Sequence, residues 1–338
     1  MSEAARKREV ARADRVLPGV WRLRLPLPWP GVPHGNAWAL SAGDGIVLVD
    51  TGLGGPGAIR QLELALSQAG LRLEHVRLLL VTHAHSDHYG LAGPIIDAAG
   101  CELWMHPNHA HMTERAQDPD KILQRRIEVA RQSGVPAQAL ERYQAAQKGG
   151  GIGVDRVVLP DRDLLPGAPI ETDLGEWQVY ETPGHAPSHV CLHQPDRGIL
   201  ISGDHLLGRV SLYYDYGYTP DPAGEFLSSL DVVAGLPSRL CLSGHGRPFI
   251  DVTAHIEANR REVDERMGRV RRALSDGAKT PFEIVPTLMG VEPGALTPML
   301  VNWGLSETLC YLRYFELRDM ARRVDGEDPE RWELVPGS

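Results

Sequence analysis

The sequence predicts an α/β protein in which two β-sheets pack face to face and helices flank both of them. Strand-like segments occur in two batches, one before residue 106 and one between residues 176 and 243, and helical segments lie between and after them. Such an order is typical of layered sheets covered by helices. The 338 residues suffice for one large domain with a small one attached.

The first batch mixes alternating and continuous apolar segments. Gly43-Asp44-Gly45 is a hairpin signal between two strands, and Pro56 suits the first turn of a helix. Residues 76–82 are apolar except for Arg77 and Thr82, which predicts a buried strand. The predicted elements are strands at 20–27, 36–41 and 46–50, a helix at about 56–68, a strand at 76–82, a helix at about 88–99 and a strand at 101–105.

Residues 107–147 have a different character. They are polar, contain few β-branched residues and carry apolar side chains at helical spacing, so we predict two or three helices. A flexible glycine-rich segment is expected at 149–153. Two interpretations are open: a helical insertion that thickens the fold, or a lid over the loop at 83–88.

The second batch predicts strands at 176–182, 190–193, 198–202 and 240–243 and a charged helix at 251–274. Helices at 281–288, 293–301 and 306–318 and a hairpin at 322–334 would follow, which is the order of a winged-helix module. We therefore expect a flexible arm at 1–15, a main domain at 16–275 and a winged-helix-like domain at 276–338. This last domain has six Lys/Arg against eleven Asp/Glu, so packing, dimerisation or shaping of a cleft is favoured over nucleic-acid contact.

Charge and cysteine usage narrow the function classes. The net charge of −9 argues against general polyanion binding, because phosphates are bound by basic surfaces. The four cysteines are far apart in sequence and predict buried thiols in a reducing compartment. Residues 1–15 have no apolar core typical of a signal peptide, and no run approaches the length of a membrane span. We expect a cytoplasmic protein without membrane contact.

The residues that carry chemistry lie at the ends of predicted strands. Residues 83–88, His-Ala-His-Ser-Asp-His, place four metal-binding side chains directly after the buried strand at 76–82. Three more candidate ligands, His185, Asp204 and His245, each follow a strand and are each preceded by glycine. Glycine permits the tight turns and the close backbone approach that a metal site needs.

This set of residues resembles the pattern of the metallo-β-lactamase superfamily over about residues 15–250. The resemblance implies an αββα sandwich with a dinuclear site at its edge. A first metal would be bound by His83, His85 and His185, a second by Asp87, His88 and His245, with Asp204 bridging both. Asp50 and His189 would support these ligands from behind.

Such a ligand set implies a hydrolytic mechanism. Two divalent ions lower the pKa of a shared water, and the resulting bridging hydroxide attacks a carbonyl or phosphorus centre. Asp87 would carry a proton to the leaving group. Imidazole and carboxylate ligands favour Zn²⁺, with Fe and Mn as alternatives.

Aspartate at position 204, where class B β-lactamases have cysteine, moves the expected activity away from antibiotic hydrolysis. We favour hydrolysis of a carboxylic ester or thioester of a small-molecule acyl group, either acyl-CoA, acyl-carrier or a glyoxalase-II-like substrate. The segments at 107–147 and 213–218 would wall its pocket, and the Tyr214 hydroxyl would help to hold the oxyanion. The alternatives are a single-strand endoribonuclease of the lactamase-B-like group, a mononuclear-iron persulfide dioxygenase using His83, His185 and Asp204, and a non-catalytic metal-stabilised binding protein. Formation of a homodimer is a further possibility that the sequence leaves open.

Overall fold

A computed structural model describes residues 10–29, 31–147 and 152–337, and the two-sheet sandwich predicted from the sequence is confirmed. One sheet has seven strands and the other has five, and a separate two-stranded hairpin lies near the C-terminus. The strands are β1 Arg12–Leu17, β2 Val20–Trp29, β3 Val32–Ala42, β4 Gly45–Val49, β5 Val76–Val81, β6 Glu102–Met105, β7 Arg162–Asp163, β8 Ile170–Thr172, β9 Gly175–Glu181, β10 Val190–Gln194, β11 Ile199–Gly203, β12 Leu240–Ser243, β13 Ala321–Arg323 and β14 Trp332–Leu334.

Helices cover both faces of the sandwich and form the C-terminal part. The helices are α1 Ala58–Gln68, α2 Ser86–Tyr89, α3 Ala92–Ala99, α4 Ala110–Gln117, α5 Pro119–Gln132, α6 Ala137–Gln147, α7 Pro222–Ala234, α8 Val252–Leu274, α9 Pro281–Met289 and α10 Pro298–Glu316. None of these described helices combines the length and the apolarity that crossing a bilayer requires.

The seven-stranded sheet runs in sequence order, antiparallel from β1 to β4 and parallel from β4 to β7. The five-stranded sheet has the order β12-β11-β10-β9-β8, with β12 parallel to β11. The facing sides of the two sheets bury Trp38 and Leu80 against Trp177 and Leu192 in one core. Because β11 and β12 are parallel, their carboxyl ends meet at the same edge of the sandwich.

The N-terminal arm is shorter than predicted. Residues 12–15 pair with β2 as part of β1, because their backbone completes the edge of the seven-stranded sheet. Residues 1–9 lie outside the described part of the chain, as does most of the glycine-rich segment expected at 149–153.

The segment at 107–147 is helical, and it is anchored to the C-terminal helices. Val135, in the turn before α6, is buried with Val285, Leu305 and Leu309 of α9 and α10. Main-chain hydrogen bonds run from Phe282 N to Ser133 O and from Glu330 N to Gln132 O. These contacts favour the interpretation of a fixed insertion over that of a mobile lid.

The C-terminal part contains two α-helices and a hairpin, so the prediction of three helices is wrong. The segments predicted at 293–301 and 306–318 are joined in the single helix α10. It begins at Pro298, and the Thr297 hydroxyl accepts a hydrogen bond from Leu300 N as a helix cap. Gly304, between the two predicted helices, lets α10 pack tightly on α9, where a Cβ would meet Val285 Cγ1 at 2.8 Å. A winged-helix classification stays a prediction.

Candidate metal centre

The predicted ligands meet at one edge of the sandwich because main-chain hydrogen bonds join the loops that carry them. Val190 N donates to Thr82 O at 2.8 Å, which joins the loop after β5 to the start of β10. Gly244 N donates to Gly203 O at 2.7 Å, which joins the loops after β11 and β12. Asn36 N donates to Gly244 O at 2.7 Å and ties this edge to β3.

Three histidines form a first ligand group. The Nδ1 atom of His85 lies 3.0 Å from His83 Nε2 and 3.1 Å from His185 Nε2. One nitrogen from each ring therefore points to a common centre, and these atoms are close enough together to bind one metal ion. This is the trio predicted for the first metal.

A second ligand group adjoins the first. His245 Nε2 lies 3.2 Å from Asp87 Oδ2, and His88 Nε2 lies 3.5 Å from the same oxygen. Asp204 stands between the groups: its Oδ2 is 3.2 Å from His245 Nε2 and 3.8 Å from His185 Nε2. The structure thus places Asp204 within reach of both groups, at the position predicted for a bridge.

The outer nitrogen of each of three imidazoles is held by an acceptor. His88 Nδ1 donates to Asp50 Oδ2 at 2.8 Å, His185 Nδ1 donates to Tyr213 O at 3.1 Å, and His245 Nδ1 donates to His34 O at 3.1 Å. Because Nδ1 carries a hydrogen in these pairs, the inner Nε2 atom is the one that offers a lone pair to a metal ion once the ring is neutral.

The residues present fit divalent cations. His88 Nε2 and Asp204 Oδ1 are buried and have no hydrogen-bond partner among the described residues. A buried polar atom without a partner costs about 1–3 kcal/mol, and a cation between these two atoms would satisfy both. Gly244 leaves the necessary space, because a Cβ there would overlap Asp204 Oδ1 and would lie 2.7 Å from His88 Cε1.

Asp50 and His189 lie directly behind the ligands, as predicted. Asp50 Oδ1 accepts from Thr82 N at 2.8 Å while its Oδ2 holds His88, so one carboxylate orients both the ligand loop and a ligand. His189 Nε2 accepts from Asp204 N at 3.1 Å. Burial lowers the pKa of His189 well below its usual value, which keeps that nitrogen an acceptor.

The two ligand groups differ in protonation when no metal is bound. Burial lowers the pKa of His83 well below its usual value and that of His185 to about 4, so both rings are neutral near pH 7. Burial acts in the same direction on His245, but the carboxylate of Asp204 outweighs it and raises the pKa of His245 to about 10. The second group is therefore protonated where the first is not.

Metal binding is consequently expected to release protons, chiefly at the second ligand group. A ring that is protonated below pH 10 must become neutral to bind a cation, so affinity should rise as the pH increases from 6 to 9. Calorimetric titration of the metal-free protein in buffers of different ionisation enthalpy measures the proton count. Binding without proton release would contradict this assignment.

Asp215 is a site residue that the sequence analysis missed. Its Oδ2 accepts from His85 Nε2 at 2.8 Å and from His111 Nδ1 at 3.1 Å, and its Oδ1 accepts from the Tyr213 hydroxyl at 3.0 Å. Asp215 therefore supports His85 as Asp50 supports His88. His111 belongs to α4, so the helical insertion contributes to the site through this carboxylate.

Replacing Asp215 with asparagine should lower metal affinity and turnover by about 10–100-fold, since this is the usual cost of losing a partner behind a metal-binding histidine. Metal binding to the purified variant and its rate with saturating metal are the measurements. Tyr214→Phe is the control, because it alters an adjacent buried side chain that contacts no ligand. Equal losses in both variants would mean that Asp215 acts only through general stability.

The prediction that Tyr214 holds an oxyanion is wrong. The Tyr214 side chain is fully buried, and its ring packs on Phe226 and Tyr311, away from the ligands. Tyr213 faces the site instead, with its ring centroid 5.8 Å from that of His85 and 5.6 Å from that of His185. The side chains of Tyr213 and Tyr214 point in opposite directions, so a shift of one position exchanges site and core.

Comparison with known proteins agrees with this geometry. A sequence model of the metallo-beta-lactamase superfamily matches residues 30–245. The probable metallo-hydrolase YqjP of Bacillus subtilis is 26% identical over 261 residues, covering 74% of this chain and 79% of that protein. The atrochrysone carboxyl ACP thioesterase of Aspergillus chevalieri is 22% identical over 347 residues, covering 99% of this chain and 92% of that protein.

Solved structures resemble the whole chain. A metallo-beta-lactamase family protein from Thermus thermophilus superposes with a TM-score of 0.79 at 28% identity, covering 95% of this chain and all of that one. A beta-lactamase domain protein from Burkholderia ambifaria superposes with a TM-score of 0.81 at 27% identity, covering 96% of this chain and 94% of that one. Both alignments therefore extend beyond the residues that the family model matches.

Proposed function

The chain belongs to the metallo-beta-lactamase superfamily and is a metal-dependent hydrolase, and we propose that it hydrolyses acyl thioesters at a centre of two divalent ions. The observation that carries the proposal is the position of Asp204 between two complete ligand groups. A single ion bound by His83, His85 and His185 would leave His88 Nε2, which is buried without a hydrogen-bond partner among the described residues, with no ion to bind.

When bound, the ions would supply Lewis acidity and a water of lowered pKa. The residues of the chain fix where that chemistry occurs. Asp50 and Asp215 orient His88 and His85 through their outer nitrogens, and burial keeps His83 neutral. Water adds across the thioester: its oxygen bonds to the acyl carbon while one of its protons passes to Asp87, the carbon–sulfur bond breaks, and Asp87 gives that proton to the leaving thiolate.

Aromatic side chains lie beside the ligands, where an acyl group would pack. The Tyr213 ring lies against two ligand histidines, and the Tyr218 ring lies 5.7 Å from that of His111. The Arg125 guanidinium lies 5.3 Å from the Tyr218 ring centroid and donates to Gly217 O at 2.8 Å, which fixes this aromatic surface. The relative named as an acyl-carrier thioesterase, aligned over 99% of this chain, supports a thioester substrate.

Each alternative function is less consistent with the residues and the charge of this chain. A mononuclear-iron dioxygenase would need His83, His185 and Asp204 and would leave Asp87, His88 and His245 without a role. A non-catalytic binding protein would need neither the second group nor the carboxylates behind it. An endoribonuclease would need an extended basic surface, whereas the chain has a net charge of −9.

A substrate panel tests the proposal. The protein reconstituted separately with Zn²⁺, Mn²⁺ and Fe²⁺ is assayed against acyl-CoA, acyl-carrier-protein, lactone and single-stranded RNA substrates. We expect thioester turnover that chelation abolishes and metal restores. RNA cleavage without thioester turnover, or oxygen consumption with persulfide, would overturn the proposal in favour of the corresponding alternative.

A further inference from the structure

A cavity lies beside the edge of the sandwich that carries the ligands, on the side of the second ligand group. Its volume is about 430 Å³, and its lining includes Arg22 and Arg24 of β2, His34 of β3, and Gly246 and Arg247 from the loop after β12. No metal ligand lines it, and His34 is the one lining residue that also holds a ligand. It is thus a separate cavity that borders the metal centre.

Two hydrogen bonds connect this cavity to the ligands. Arg22 Nη1 donates to Gly246 O at 3.1 Å, and Gly246 directly follows the ligand His245. The main-chain oxygen of His34 accepts from His245 Nδ1 at 3.1 Å. A molecule bound in the cavity would therefore lie beside the second ligand group, where a flexible extension could enter the site.

The cavity carries an excess of positive charge. Arg22 and Arg24 are two residues apart on one strand and so share a face, and Arg247 adds a third guanidinium. The only carboxylate among the described lining residues is Asp14, whose Oδ2 accepts from Arg22 Nη2 at 2.8 Å. Burial lowers the pKa of Arg22, Asp14 opposes this, and Arg24 and Arg247 lower it further, as expected for like charges in proximity.

Most of this charge has no partner in the described parts of the chain. Among the described residues, the side chains of Arg24 and Arg247 make no hydrogen bond or ion pair, and the Nε atoms of Arg22 and Arg24 are buried without an acceptor. Buried donors of this kind are costly unless an acceptor reaches them. Guanidinium groups match phosphate oxygens in charge and in bidentate geometry.

We propose that this cavity binds the phosphate of a phosphopantetheine arm, the group that carries acyl thioesters both on coenzyme A and on acyl carrier proteins. The proposal rests on the thioesterase function above and adds how the substrate is recognised. Three guanidiniums around one cavity, partly neutralised by Asp14, form a site for a single phosphate group. They do not form the long basic track that a polynucleotide requires.

The test compares ligands that differ only in the phosphate and are not turned over. We expect 4′-phosphopantetheine to bind the metal-loaded protein at least about tenfold more tightly than pantetheine, since hydrogen bonds between charged groups are stronger than those between neutral groups. Arg24→Gln and Arg247→Gln should each remove most of this preference. Arg60→Gln, which removes one charge from the exposed face of α1, should retain it.

A second measurement separates this site from the catalytic machinery. Arg24→Gln and Arg247→Gln should raise the KM for an acyl-CoA substrate several-fold more than the KM for a short acyl-N-acetylcysteamine thioester, which lacks phosphate; an equal rise for both substrates would contradict a phosphate site. Comparing coenzyme A with a holo-carrier protein then identifies the natural source of the phosphate from the tighter binder, and either result supports the proposal.

Equal binding of phosphopantetheine and pantetheine, or a preference untouched by both arginine variants, would overturn the inference even if thioesters are hydrolysed. Competition by single-stranded RNA that depends on the same arginines would overturn it in favour of a nucleic-acid site. Phosphate recognition without thioester turnover would refute the proposed function and leave the phosphate site standing. The two claims can therefore fail separately.

Discussion

Replacing Asp204 with asparagine should reduce thioester turnover by about a thousandfold or more and weaken metal binding at the second ligand group. The substitution keeps the size of the side chain but removes the charge that lies 3.2 Å from His245 Nε2 and 3.5 Å from His88 Nε2. Ions at such a centre contribute several kcal/mol of transition-state stabilisation, and each ~1.4 kcal/mol corresponds to a factor of ten.

The measurements are kcat with saturating metal and the number of ions bound at each metal concentration. Asp163→Asn is a suitable control, because Asp163 is an exposed carboxylate on the short strand β7. If Asp204→Asn kept two tightly bound ions and near-normal turnover, Asp204 would not be the bridge.

The Gly244→Ala variant should lose activity by about a hundredfold, although it adds only one methyl group. The new Cβ would overlap Asp204 Oδ1 and lie 2.7 Å from His88 Cε1, so both the carboxylate and the imidazole would have to move. A misplacement of about 1 Å in a reactive centre can cost about a hundredfold in rate.

Gly294→Ala provides the matched control, because a Cβ at that position has nothing within 4 Å and should leave turnover unchanged. Circular dichroism and the metal content of both variants show whether they fold. Wild-type activity in Gly244→Ala would mean that the ligands lie farther apart than the structure shows.

The candidate ligands were identifiable from local sequence patterns, whereas their division into two groups bridged by Asp204 was implied by the resemblance to the metallo-β-lactamase superfamily. An apolar strand followed by His-Ala-His-Ser-Asp-His puts ligands at a strand end, and the glycines before His185, Asp204 and His245 indicate close approaches. The structure gives a reason for all three glycines: a Cβ at Gly244 would strike Asp204 and His88, one at Gly203 would lie 2.6 Å from His189 Nε2, and one at Gly184 would lie 2.5 Å from Phe226 N.

Residues from distant segments that hold the ligands by hydrogen bonds could not be predicted from local patterns. Asp215 and His85 are 130 residues apart, and nothing in the spacing of the tyrosine-rich segment distinguishes Asp215 from its neighbours. The choice between Tyr213 and Tyr214 depends on which way an irregular segment turns, and packing on Phe226 and Tyr311 determines that orientation.

Contacts between distant segments also explain why the C-terminal helices differ from the prediction and why the attachment of the insertion was not predicted. Separate helices were predicted at 293–301 and 306–318, but α10 continues through Gly304, where it packs closely on α9. The helices of 107–147 were predicted from their periodicity. Their attachment to α9 and α10 depends on contacts such as Val135 with Leu309, which no local pattern encodes.

The number of metal ions per chain tests the central claim most directly. Native mass spectrometry of the protein, first stripped of metal and then titrated with Zn²⁺, resolves species with zero, one and two ions. We predict that the fully loaded species carries two ions and that turnover follows its population. Saturation at one ion per chain with full activity would contradict the account.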